Sequence, residues 1–211
     1  MSRYTGPVCR LCRAEGDKLY LKGDRCYTEK CGLKKRENSK PGQHGTRRGK
    51  MSEYGIRLRE KQKLRRFYGI NETQFSNIYH TATGMAGQAG HNFLQLLERR
   101  LDNVVYRLGF GISRAQARQL VCHGHFTVNG RKLDIASALL KPGDVIAVAE
   151  NSRDLPVIKE NVEAMAANPG KVPAWLELHP DSMSGSLLTV PVREQIDAPV
   201  NEQLVVEFYA R

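Results

Sequence analysis

Long hydrophobic runs are missing from this 211-residue sequence, and without a stretch near the roughly 20 apolar residues that a bilayer-spanning helix needs, no membrane segment is expected. The polar start Met1 to Gly6 also lacks the apolar core of a signal peptide, so the chain is expected to stay in the cytosol. Aromatic residues are scarce at 7%, with Trp175 the single tryptophan. No Walker motif or catalytic-triad spacing occurs. Gly109 and Gly111, or Gly84, Gly87 and Gly90, follow no strand and open no nucleotide fingerprint. What remains is 40% hydrophobic and 26% charged, enough for one large core or two modest ones.

Carboxylates are few where bases are many. Met1 to Ile70 carries 20 Lys and Arg against 7 Asp and Glu, net +13, whereas Asn71 to Arg211 carries 13 against 15, net −2. So dense an excess on a segment with few core residues points to a polyanion, and to nucleic acid before an acidic protein or a membrane surface. Residues 34–50 (KKRENSKPGQHGTRRGK) bury too little to offset their ordering entropy and are expected to order only on that partner. There His44, Arg47, Arg48 and Lys50 follow phosphates.

Cysteine is almost confined to the first 31 residues, as Cys9-x2-Cys12, thirteen residues, then Cys26-x4-Cys31. Paired cysteines bracketing short loops in a cytosolic chain suit four thiolates around a structural Zn²⁺. A four-iron four-sulfur cluster on the same cysteines has a similar net charge and stays open as the alternative. Arg10, Arg13, Arg25 and Lys30 offset the negative charge. No ligand position is left for substrate, so the site reads as structural. Cys122 stands apart near a helix end, where a small thiol packs as a hydrophobe. With His123 and His125 it lacks a fourth donor for a metal.

Helical and strand periods divide the rest. Ser52 caps a helix to about Tyr68 that carries Tyr54, Arg57, Lys61, Lys63, Arg65 and Arg66 and is expected to dock on protein along one edge and to meet RNA along another. Asn71 opens a helix with Phe75, Ile78 and Tyr79, and a glycine-rich break precedes one with Phe93, Leu94, Leu96 and Leu97. Leu101, Val104, Val105 and Leu108 define another, ended by Gly109, and Ser113 caps the next. In that last helix Ala117, Leu120 and Val121 point inward, and Arg114 and Arg118 share an outer face for phosphate, joined by His123, His125 and Arg131. Phe126 to Val128, a tight turn at Asn129-Gly130, and Val145 to Val148 make strands. A helix over 157–167 and short strands at 174–178 and 187–192 extend this unit. Asn201 caps a terminal helix, preferred over a strand.

These residues carry a resemblance. The run Arg100 to Gly109 (RLDNVVYRLG), then Arg114 to Val121 (RAQARQLV), His123-Gly-His125 and Val128-Asn-Gly130, resembles the RNA-binding domain of the bacterial small-subunit ribosomal protein four family, in its cysteine-containing, metal-binding form. Ser52 to Gly69 (SEYGIRLREKQKLRRFYG) and Asn201 to Arg211 (NEQLVVEFYAR) extend it over nearly the whole chain. The expected fold is α+β: a mainly helical first domain over 1–97 with an N-terminal metal knuckle, rejoined by a terminal helix over 199–211, and an RNA-binding domain over 98–198 of helices on a small, mostly antiparallel sheet. The resemblance implies direct binding of small-subunit ribosomal RNA at a folded junction, early action in subunit assembly, contact with ribosomal protein five and an influence on decoding accuracy. For some members it also implies messenger RNA as a partner, through repression of their own operon.

Two rivals share the domain. Arg100-Leu101-Asp102 resembles the core of pseudouridine synthases, but Asp102 lies within an amphipathic helix of a chain without their catalytic domain, so catalysis is not expected. A stand-alone RNA quality-control or transfer-RNA-handling module would carry the same basic helix without belonging to the ribosome.

Overall fold

A computed structural model of the chain describes residues 4–36, 39–43, 45 and 50–210. Helix α1 (Cys9–Glu15) and the 3-10 turns Gly23–Cys26 and Lys34–Arg36 form the N-terminal knuckle. Helix α2 (Glu53–Tyr68) begins where Ser52 Oγ accepts from the Gly55 N–H at 3.2 Å, and ends at Gly69, whose N–H returns to the Arg65 and Arg66 carbonyls. With Glu53 in its first turn and Arg65 and Arg66 in its last, its charges complement the helix dipole. Helices α3 (Glu72–Thr83) and α4 (Ala89–Glu98) follow.

The chain divides within α4 into two compact units, Met1–Phe93 with Ala198–Arg211, and Leu94–Asp197. The first unit closes on itself through helix α8 (Glu202–Tyr209), capped by Asn201 Oδ1 accepting from the Gln203 N–H at 3.0 Å. Helix α8 packs along α2. Between the helices of this unit Leu64, Phe67, Phe75, Tyr79, Phe93 and Val205 are buried. Phe75 meets Phe93 edge-on at 4.9 Å between centroids, and Tyr79 stacks on Tyr209 at 4.5 Å.

The second unit sets α5 (Leu101–Arg107), α6 (Arg114–Cys122) and α7 (Pro156–Ala166) with a five-stranded sheet. Its strands are β1 (Phe126–Val128), β2 (Arg131–Lys132), β3 (Val145–Val148), β4 (Leu176–His179) and β5 (Ser184–Leu187), in the order β2-β1-β3-β5-β4, every pair antiparallel. Asn129 and Gly130 both have positive φ, the requirement of a tight hairpin turn. The Asn129 side chain reinforces it, accepting from the Val145 N–H and donating to Asp144, both at 2.9 Å. Phe126 pairs with Val148, and Val128 with Ile146. This register gathers Phe126, Ile146 and Val148 into one core with Leu101, Val104, Val105, Ala117 and Trp175. Gly185 on β5 lets Leu108 press close to the sheet: a Cβ there would lie 2.6 Å from Leu108 Cδ2 and 2.9 Å from the Glu177 carbonyl.

The α+β class and antiparallel sheet agree with the sequence, and three local readings need correction. The last strand lies at 184–187, before the expected 187–192. Cys122 is exposed, because α6 turns it outward while Val121 faces the core. Asn71 makes no side-chain cap on α3.

Candidate nucleic-acid interface

In the N-terminal unit the four paired cysteines face one another closely enough to interact as charges. Burial pushes the Cys12 thiol up first, and the neighbouring Cys26, Cys9 and Cys31 push it further, against a backbone hydrogen bond at Leu19. Burial also raises Cys26, with Cys31 and Cys9 adding to it, while the Lys22 N–H donates to its Sγ at 3.3 Å. At Cys31 burial is outweighed by backbone hydrogen bonds at Lys34 and Leu33 and by the charges of Lys18 and Lys34, so that thiol falls below its ordinary value. Gly32 leaves room beside the set, for a Cβ there would sit 3.0 Å from Cys9 Cβ and 3.4 Å from its Sγ. Four thiols are the donor chemistry of a thiophilic ion. As the side chains stand, however, no group of three or more His, Cys, Asp or Glu among the described residues could hold a metal ion.

The phosphate-following residues divide by position. His44, Arg47 and Arg48 lie outside the described residues, while Lys50 is exposed at the approach to α2. On α2 the basic stripe is not left to solvent as helical spacing predicts. Lys61 is only 4% exposed, 2.5 Å from Glu72 and 4.9 Å from the centre of the Phe208 ring. Arg57 donates to Glu207 of α8 at 2.7 Å, Lys63 lies 2.5 Å from Asp17, Arg65 lies 3.3 Å from Glu72, and Arg66 pairs with Glu15. Burial nevertheless pushes the Glu15 carboxyl up, against Arg66 and Arg59. These cations thus tie α2 to its neighbours within the unit. Tyr54 stays exposed at the start of α2, tilted against Phe208 at 5.7 Å.

A second correction concerns α6. Arg114 does not stand on an outer face: it is 8% exposed, donates through Nε to Asn103 Oδ1 at 2.9 Å and lies 4.5 Å from the centre of the Tyr106 ring. Arg118 reaches Asp102 Oδ2 at 2.7 Å. Asp102 is also gripped by Arg100, whose Nε and Nη2 donate to its two oxygens at 3.0 and 2.8 Å. A carboxylate so held, and only 5% exposed, is a structural anchor between α5 and α6.

Beyond α6 the two histidines lie next to each other. His123 and Arg131 are exposed, the His123 and His125 rings lie 5.9 Å apart, and His125 Nδ1 is 2.8 Å from Ser152 Oγ. Burial lowers the His125 pKa, helped by His123 and by Lys132. Lys132, exposed on β2 beside Arg131, is a cation that periodicity missed, since a two-residue strand leaves no pattern. Also unforeseen is the network in which Arg107 bridges Glu98 at 2.7 Å and Asp197, while Asn103 donates to Glu98 at 2.5 Å. Its partners lie up to 90 positions apart, and no local signal links them.

Comparison with known proteins covers both units. Residues 3–98 match the ribosomal protein S4/S9 N-terminal domain family, and residues 99–146 match the S4 domain family. Over all of this chain and all of the relative, the sequence is 57% identical to small ribosomal subunit protein uS4 of a Thermoanaerobacter species. It is 59% identical to the same protein of Thermus thermophilus, and 59% to that of Pelotomaculum thermopropionicum, again at full length.

Proposed function

Because the chain belongs to the small-subunit ribosomal protein S4 family, we propose that it binds small-subunit ribosomal RNA directly at a folded multi-helix junction, nucleates subunit assembly and contributes to decoding accuracy. It is a structural protein of the ribosome in translation, not an enzyme. The full-length correspondence with ribosomal relatives carries this reading. The lopsided charge supports it: lysines and arginines release counterions from closely packed phosphates, while narrow A-form grooves leave shape and backbone to be read. Neighbouring small-subunit proteins are partners, protein five among them in this proposal, with messenger RNA for any role in repressing its own synthesis.

Cys9, Cys12, Cys26 and Cys31 are proposed to hold Zn²⁺, with a four-iron cluster as the alternative. The backbone hydrogen bonds aimed at three of the sulfurs favour this. The bound ion would supply a cross-link, closing a polar segment too small to fold alone. Exposed Lys50, Tyr54, His123 and Arg131 and half-buried His125, with His44, Arg47 and Arg48, are the proposed RNA contacts. Arg57, Lys61, Lys63, Arg65, Arg66, Arg114 and Arg118 are assigned in the first place to holding the protein together.

Binding of the full-length protein to the intact ribosomal junction, compared with an unrelated duplex across a salt series, tests the reading. Preference for the junction by tenfold or more is expected. Equal affinity for both would reduce the surface to a general RNA clamp.

A further inference from the structure

Beside the knuckle the surface is hollowed into a pocket of about 600 Å³ lined by Arg10, Arg13, Arg25, Lys30, Lys35 and Arg36. The volume is that of a small-molecule site, roughly 300–1,000 Å³, yet the chemistry is not that of an apolar one. The rest of the described lining is proline, glycine and Cys9, with no carboxylate. On α2 each comparable cation meets an acid, as Lys61 meets Glu72 and Lys63 meets Asp17. None of the pocket's six pairs with a carboxylate among the described residues. Two are held in place without being neutralised: Arg13 Nε donates to the Ser39 carbonyl at 2.9 Å, and Arg25 Nε to the Lys30 carbonyl at 3.3 Å. A carbonyl orients a guanidinium but leaves its net charge intact.

Four thiolates on a divalent ion would carry a net charge of −2 and so offset two of the six; the remaining surplus around one concavity focuses a positive field into it. A single carboxylate ligand would offset little of that surplus, whereas adjacent phosphates match both the number of charges and the bidentate fork of arginine. We propose that this pocket binds clustered phosphate groups, supplied by a sharp turn of the RNA backbone that brings two or more phosphates together. This rests on the ribosomal RNA reading above and locates within it a point of strong grip. Free polyphosphate carries the same chemistry and is the other source to be tested.

The test uses the full chain, inorganic tripolyphosphate and the ribosomal junction RNA, with the wild type and the double variant Arg10→Gln/Arg36→Gln. Both positions are exposed, so the fold should persist, which an unchanged circular dichroism melting curve verifies. Wild type is expected to bind tripolyphosphate and the double variant not. The variant's affinity for the junction RNA should fall at least tenfold, with the log–log salt dependence shallower by about 1.4–1.8 for two lost phosphate contacts. Undiminished tripolyphosphate binding by the variant would overturn the pocket. Lost tripolyphosphate binding with unchanged RNA affinity would assign the pocket to free polyphosphate and overturn the RNA source. Absence of any wild-type preference for the junction would instead sink the ribosomal reading, while the tripolyphosphate arm still decides the pocket.

Discussion

Asp102 receives hydrogen bonds from Arg100 and Arg118 while almost wholly buried, so its removal would strand a guanidinium that is itself only 2% exposed. Breaking a buried ion pair in this one-sided way costs about 3–5 kcal/mol. Asp102→Ala should therefore lower the stability of the second unit by that amount. Arg118→Ala should cost less, about 1.5–3 kcal/mol, since Asp102 keeps its bidentate bond to Arg100. Urea unfolding followed by the fluorescence of buried Trp175 measures both, and equal costs would contradict the two-sided grip. Glu72 gives a pH signature in the first unit. Burial raises its pKa, but the Lys61 hydrogen bond and charge, the Tyr209 hydroxyl and Arg65 together bring it below the ordinary 4.5. With the folded value depressed, its stabilisation is complete above about pH 4.5 and disappears as pH falls through the folded value. In Glu72→Gln an acid titration of the first unit should lose that component. The distinction between Arg114 as a phosphate contact and as a buried strut was not legible in α6 itself. Period 3.6 places Arg114 off the inward stripe, but its partners Asn103 and Tyr106 sit on another helix.

Between helices the same charges take on different work. The stripe on α2 reads from the sequence as one surface, yet Arg57 bonds α8, Lys61 and Arg65 bond Glu72, and Lys63 and Arg66 bond the segment after α1 and its last turn. Sequence periodicity reports which side chains share a face, not what covers it. Lys61→Gln should accordingly destabilise the first unit while leaving the salt dependence of RNA binding nearly unchanged; a slope shallower by about 0.7–0.9 would make it a phosphate contact after all. The terminal helix was legible because Asn201 caps it and its apolar residues recur at helical spacing, with Val205 buried. Strand β5 was not, since its run Ser184–Leu187 contains Gly185, a small residue chosen by the pressure of Leu108 and invisible to strand propensity. Truncating the chain after Pro199 should melt the first unit, seen as lost helical dichroism, and leave the Trp175 transition in place.

For the molecule as a whole, the two units offer separate readouts. If the knuckle cysteines hold the proposed ion, Cys26→Ser is expected to release it and loosen the knuckle without moving the Trp175 midpoint, because Trp175 belongs to the other unit. Retained metal in that variant would contradict the ligand assignment. The change of charge after Ile70 does not mark the division of the chain, which falls within α4. The basic pocket beside the knuckle was not legible from spacing, because its cations come from α1, two 3-10 turns and the loop between them, which no repeat connects. The first unit is also discontinuous, closed by α8 against α2. On a translating ribosome α2 emerges long before its partner, and at about 5–20 residues per second the intervening chain takes on the order of 10 s to follow. During that interval the second unit has all of its residues available before the first does. The newborn chain would thus acquire its folded parts in the reverse of their order of synthesis, and the codons for α8 would act as the release signal for the rest of the first unit.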